Sequence, residues 1–168
     1  HEVIAQTSVK PFVGIKCDGP GDSGVLAPLY GDHRGFVVSC GLTPRYSDID
    51  AGAMAAAAVD EAIRNAVCTG ADMNKMAGCD NYCWPDPIFS EKTPDGRYKL
   101  AQLVRANREL ERACRGYRVP CISGKDSMKN DYGKGDEKIS IPPTLLFTLI
   151  GDHPDVRKSI TSDLHESG

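Results

Sequence analysis

The sequence predicts an α+β fold: a two-layer sandwich in which a mixed β-sheet carries two long helices on one face. Two observations predict it. Strand-length apolar runs and helix-length segments follow one another as strands, helix, strand, helix, strand, strand. The chain of 168 residues has the size of one domain. Its 40% hydrophobic content can fill a core without disulfide or metal staples.

Each element has a local reason. Gly14 to Gly24 (GIKCDGPGDSG) is glycine-rich and reads as loop. VLAPLYG from Val25 and GFVVSCG from Gly35 flank the turn-forming GDHRG, which predicts a hairpin. AGAMAAAAVDEAIRNAV, from Ala51, is dense in alanine, the strongest helix former. Ala55, Val59, Ala62, Ile63 and Ala66 form one stripe of small side chains, suited to close packing on a sheet. Asp48 or Asp50 can cap this helix, and Gly70 follows its end. A strand is expected near Asn74–Cys79, then the stretch CDNYCWPDP and the loop EKTPDG from Glu91. A second helix is expected from Lys99 to Tyr117. It would bury Leu100, Leu103, Val104, Leu110 and Cys114 and turn Arg105, Arg108, Glu109, Glu111 and Arg112 to solvent. VPCISGKDSM, a polar loop NDYGKGDEK and a last strand near Thr144–Gly151 complete the domain at residues 1–151. Residues 152–168 read as a polar linker. The apolar residues of VLAPLYG and TLLFTLIG are not confined to alternate positions. The sheet face without helices is therefore expected to meet a partner domain or another copy of the chain.

Composition removes several function classes. Lys plus Arg is 20 and Asp plus Glu is 23, a net charge of −3, which gives no basis for nucleic-acid binding or for an acidic membrane surface. No secretory signal opens the sequence, and the longest apolar stretch, Ile141–Ile150, is about half a membrane span and holds two prolines. The seven cysteines contain no CxxC pair, which argues against a structural zinc site. They read as reduced thiols of a cytoplasmic protein. His1, His33, His153 and His165 lie in termini or loops, and no HExxH or GxSxG occurs, so triad-type acyl transfer has no support.

Four segments can carry chemistry. SGKDS, Ser123–Ser127, joins a glycine, which lets a backbone approach phosphate, to a lysine that supplies counter-charge. A Walker A loop would need glycine where Val119 stands, so the alternatives are another phosphate loop or a solvated turn. Glu61 and Asn65, four apart on the alanine-rich helix, can share a divalent ion or form an exposed pair. In CDNYCWPDP, Asp80 can hold magnesium and Asn81 a base or phosphate, or the stretch is an Asx turn ended by prolines. Arg45, ahead of the first long helix, can contact an anion or brace Asp48 and Asp50.

GPGDSGVL, GLTPRYSDIDAGAMAAAAVDEAIRNAV, CDNYCWPDP, VPCISGKDSM and ISIPPTLL occur in one order over nearly the whole chain. Together they resemble the phosphoribosylformylglycinamidine synthase family, in particular the N-terminal-type domain of its second internal repeat. The fold implied is the AIR-synthetase-like N-terminal domain, whose sheet pairs into a barrel with a partner copy. The activity implied is conversion of formylglycinamide ribonucleotide, glutamine-derived ammonia and ATP to the amidine, ADP and phosphate in purine biosynthesis. The cofactors implied are ATP or ADP and Mg2+. By the same resemblance Asn81, Gly124 and Lys125 face nucleotide and phosphate, Glu61 and Asn65 would serve metal, and Ser127 substrate. Asp126, beside Lys125, is assigned to phosphate as well, and Asp80 and Arg45, on their own chemistry, to metal and substrate. Members with Asn at the position of Lys125 use it toward the metal; a cation cannot ligate magnesium, so Lys125 is assigned to phosphate. The family's histidine-rich catalytic segment does not occur in this chain. No catalytic residue is therefore expected within it, and the isolated piece should be inactive. The expected partners are the rest of the synthase (first repeat and C-terminal-type domains), a glutaminase domain or subunit, and a second copy of the chain. The alternatives are a structural, non-turnover nucleotide half-repeat, or another ATP-using enzyme of the same fold.

Overall fold

The computed structural model describes residues 6–134 and 137–164. His1 and His165 lie outside them. In chain order the elements are β1 (Thr7–Val9), β2 (Phe12–Val13), β3 (Gly19–Pro20), β4 (Ser23–Leu26), β5 (Gly35–Leu42), α1 (Ala51–Cys68) and β6 (Met76–Cys83). They continue with α2 (Gly96–Tyr117), β7 (Cys121–Ser127), β8 (Tyr132–Lys134), β9 (Glu137–Ile139) and β10 (Thr144–His153). Short 3-10 helices cover Pro44–Asp48 and Val156–Lys158. Six strands form one sheet in the order β1-β4-β5-β10-β6-β7, and β2-β3 and β8-β9 form separate ribbons. The sheet is mixed: β4 runs antiparallel to β5, whereas β6 and β7 are parallel. The expected mixed sheet with two long helices is present.

Two compact units make up the chain. One is drawn from His1–Cys40, Ala62–Ala77 and Thr148–Gly168, the other from Gly41–Glu61 and Gly78–Phe147.

In the first unit β4 and β5 form the expected hairpin, with Val25 opposite Val37 and both fully buried. Two-residue β3 and the start of β4 lie inside the glycine-rich segment expected to be all loop. Ser39, buried on β5, donates its hydroxyl to the Ala62 carbonyl at 2.7 Å. That contact requires the small helical side chains the sequence supplies. Gly70 ends the helical segment at φ +107°, and a Cβ there would lie 2.5 Å from His153 Nε2. Only glycine satisfies both the backbone and the space. The His153 imidazole is buried, with Nε2 3.0 Å from the Thr69 carbonyl and Nδ1 accepting from the Asp155 amide. β10 thus runs past the expected boundary at residue 151. The Val156 side chain is also buried, and its amide reaches the His33 carbonyl at 2.8 Å.

In the second unit Asp50, not Asp48, caps α1 by accepting from the Ala53 amide at 2.9 Å. Ala51, Met54, Ala55, Ala58 and Val59 are fully buried. α2 starts three residues earlier than expected; Leu110 and Cys114 are buried and Arg105, Arg108, Glu111 and Arg112 exposed as expected, but the buried line differs at its start. Its buried line is Lys99, Gln102, Ala106, Leu110 and Cys114, while Leu100 and Val104 are 49% and 44% exposed. The buried Lys99 is tolerated because its ammonium reaches Asp95 at 3.1 Å and the Ser140 hydroxyl at 2.7 Å. Beneath α2, Trp84 donates its indole N–H to the Lys99 carbonyl and packs edge-on against Tyr82 at 5.8 Å. A Cβ at Gly78 would stand 2.1 Å from the Phe147 ring, so this strand position accepts no side chain.

The sequence expected the sheet to present apolar residues on a second face. Val38 and Ile150 in the first unit, and Leu42 and Ile122 in the second, are indeed exposed. NDYGKGDEK, expected to be loop, carries the β8-β9 ribbon on either side of residues outside the description.

Candidate nucleotide site on paired strands

The SGKDS segment is not a turn. It is the second half of β7, a parallel strand at the sheet edge whose residues from Cys121 to Asp126 are all exposed. CDNYC is likewise strand, the end of β6. After an irregularity at Gly78/Cys79, the register pairs Asp80 with Gly124, Asn81 with Lys125, Tyr82 with Asp126 and Cys83 with Ser127. Side chains alternate faces along a strand, so these eight residues split into two sets.

Asp80, Gly124, Tyr82 and Asp126 point to the α2 side. Tyr82 is buried there, and Asp80 lines a cavity with Leu110 and Cys114 of α2. The Asp80 carboxylate lies against Gly124; a Cβ at that glycine would sit 2.7 Å from Oδ1. Burial pushes the Asp80 carboxyl up, and the negative charge of Asp126 adds to the shift. Asn81, Lys125, Cys83 and Ser127 point the other way. On that side the Lys125 ammonium donates to the Ser127 hydroxyl and meets no carboxylate among the described residues. Asn81 Oδ1 is buried without a hydrogen-bond partner. An uncompensated cation beside an unsatisfied amide suits a phosphate or a polar heterocycle.

The other expected site residues lie elsewhere. Glu61 Oε2 accepts from the Leu42 amide at 2.6 Å, and Asn65 Nδ2 donates to the Cys40 carbonyl at 3.0 Å. Each ties α1 to the end of β5, which leaves Glu61 Oε1 and Asn65 Oδ1 without a hydrogen bond among the described residues. Arg45 is exposed on its 3-10 helix and braces neither Asp48 nor Asp50; Asp50 pairs with Arg105 instead. Among the described residues no three His, Cys, Asp or Glu side chains cluster as a metal would require. Asp80 and Asp126 face away from Lys125 on the paired strands.

The sequence reading missed the group that fixes the loop after β6. Lys138 Nζ donates to Thr93 at 2.6 Å, Asp131 at 3.2 Å and Asp86 at 3.4 Å. Asp131 also accepts from the Asp86 amide at 3.0 Å. The partners lie 45 and 52 positions apart in sequence, so no local pattern reveals them.

Residues 20–151 match the family model described as AIR synthase related protein, N-terminal domain. The chain belongs to that family. The whole chain is 33% identical over 168 residues to phosphoribosylformylglycinamidine synthase subunit PurL of Deinococcus radiodurans, of which it spans 20%. Among solved structures, Thermotoga maritima PurL complexed with AMPPCP superposes with a TM-score of 0.68 at 24% identity, covering 95% of this chain and 23% of that one. The complex of the same protein with ADP gives 0.64 at 26% identity, covering 92% and 22%. The chain therefore spans about a fifth of the length of the relatives it matches.

In this AIR synthase related domain, the paired strands carry the polar groups and α1 carries the helix acids. Among the described residues no helix is long and apolar enough to cross a membrane. All seven cysteines are free thiols.

Proposed function

We propose that this AIR synthase related domain binds an adenine nucleotide on the outer face of β6 and β7. In the whole protein it would serve a ligase that forms formylglycinamidine ribonucleotide from formylglycinamide ribonucleotide, ATP and glutamine. The observation that carries the reading is the Lys125 ammonium, which has no carboxylate partner among the described residues and shares a face with the buried Asn81 Oδ1, itself without a partner there. Likeness to PurL, including the AMPPCP and ADP complexes, supports the choice of ligand and reaction.

Each residue has a role on this reading. Lys125 holds phosphate, with the Ser127 hydroxyl keeping its ammonium in place. Gly124 is assigned to phosphate through its backbone alone, since its missing Cβ makes room for the Asp80 carboxylate on the other face. Asn81 offers an amide to phosphate or base. Magnesium, when bound with nucleotide, neutralises phosphoryl charge. Glu61 and Asn65, one turn apart on α1, are the residues that would hold a divalent ion, since each keeps an oxygen. Asp80 lies on the α2 side of β6 and is not placed with the Lys125 phosphate. Arg45, free and exposed, is assigned to the anionic substrate. Catalysis is completed by other parts of the synthase, and the piece alone is inactive. The exposed Val38, Leu42, Ile122 and Ile150 support cover by another domain of the synthase or by a second copy, and a glutaminase supplies ammonia. Free thiols and a ligase role agree with a cytoplasmic setting.

The test is photolabelling of the intact protein with 8-azido-ATP and magnesium. Label is expected in peptides spanning Met76–Cys83 or Cys121–Ser127 and should be blocked by AMPPCP. Label confined to α2, or label that AMPPCP does not displace, overturns the site. Phosphate release that depends on formylglycinamide ribonucleotide, ATP and glutamine together tests the reaction separately.

A further inference from the structure

We propose that Cys114 and Cys121 form a modification site: a dithiol that low-molecular-weight disulfides convert to an intramolecular bridge between the last turn of α2 and the first residue of β7. The two Sγ atoms lie 3.8 Å apart, in contact. Among the described residues no other pair of thiols is in contact. The backbone between them is fixed. Arg118 takes the left-handed conformation at φ 58°, with its amide directed at the Arg115 and Cys114 carbonyls. The Val119 amide bonds the Cys114 carbonyl at 2.9 Å. The thiols therefore meet because the helix end and the strand start are held together. Both thiols line one cavity of about 560 Å3, floored by Leu110, Val119 and Pro120. That opening gives a small reagent access, and Cys121 is the exposed member of the pair.

The chemistry balances as thiol–disulfide exchange. The Cys121 thiolate attacks one sulfur of the incoming disulfide; that S–S bond breaks and one thiolate leaves and takes a proton. The Cys114 thiolate then attacks Cys121 Sγ, forms the internal bond and expels the second thiolate. Two electrons pass from the pair to the reagent, which departs as two thiols. Burial pushes both thiols up, Cys114 to about 12. The bridge therefore forms slowly at neutral pH and faster as pH rises.

The test treats the intact protein with oxidised glutathione at about pH 8, then alkylates and digests with trypsin. The expected product joins the peptide 113–115 to the peptide 119–125, forms roughly ten times faster than any other linkage, and is reversed by dithiothreitol. Cys114→Ser should leave Cys121 as a stable glutathione adduct, and Cys121→Ala should leave Cys114 unmodified. Amide exchange across 116–121 should slow once the bridge has formed. A wild-type reaction that stops at the Cys121–glutathione adduct, or that joins Cys121 to Cys79, overturns the proposal.

Discussion

Replacing Lys125 with alanine separates binding from folding more cleanly than any other change at the strand pair. The side chain is exposed, and its one described partner is the Ser127 hydroxyl two residues on. Removing it buries no charge and opens no cavity, so stability should shift by no more than about 0.5 kcal/mol. The effect on a bound phosphate is larger. Two unit charges about 4 Å apart attract by about 1 kcal/mol in bulk water and about 4 kcal/mol near a protein surface. After desolvation, a charge-assisted hydrogen bond nets about 1.5–3 kcal/mol. Affinity for AMPPCP should therefore fall roughly 10- to 150-fold. Isothermal titration of AMPPCP with magnesium into the intact protein measures the loss, and a melting curve of the same sample reports the fold. Lys125→Arg keeps the charge and should recover most of the affinity, and added salt should weaken wild type more than Lys125→Ala. Affinity within about threefold of wild type, with unchanged melting, would refute the reasoning and place the phosphate elsewhere.

Three further outcomes follow from the packing. Gly70→Ala should lower the melting temperature sharply, because the strained φ costs about 1–3 kcal/mol and the overlap with His153 a similar amount; a melt within a degree or two of wild type contradicts it. Tyr82→Phe should leave stability unchanged or raise it by about 1 kcal/mol, since the buried hydroxyl it removes has no partner. A clear loss in urea titration would reveal a partner for that hydroxyl. Acid should loosen the loop held by Lys138. The amide of Ile88 and the ammonium groups of Lys129 and Lys138 hold Asp86 below the usual carboxylate range. Burial opposes charge on Asp131, but the Asp86 amide and Lys138 outweigh it. Groups with a lowered folded pKa stabilise above their unfolded value near 4 and lose that contribution as pH falls below it. Melting curves from about pH 6 to pH 3 should show a decline that Lys138→Met reduces.

Most of the scaffold was legible because its signals are strong and local. Alanine density marked α1, Asp48 or Asp50 and Gly70 marked its ends, and two apolar runs around GDHRG marked the hairpin. α2 was legible as a helix, with Leu110, Cys114 and the charged face as expected, but not at the start of its buried line. Counting apolar residues favours Leu100 and Val104, whereas the line that packs runs through Lys99, Gln102, Ala106, Leu110 and Cys114. Two of those five are polar, and the Asp95 and Ser140 contacts that make Lys99 tolerable are tertiary.

The strand β7 was legible only at its start, in the strand-like VPCI, and its SGKDS half was hidden for a different reason. A strand announces itself by alternating burial, and an edge strand with six successive exposed residues has none. Read as a turn, SGKDS offered all its side chains to one ligand. Read as a strand, it offers every second one. That change decides the chemistry. Lys125 and Ser127 share the face of Asn81, while Asp126 turns to the side of Asp80. Had Asp126 faced the same way as Lys125, the two would have neutralised each other and the segment would hold no net charge for phosphate. With the carboxylates sent to the α2 side, where burial and mutual repulsion push Asp80 up, the outer face keeps one uncompensated cation. The pleat, rather than the motif, makes SGKDS fit to bind an anion.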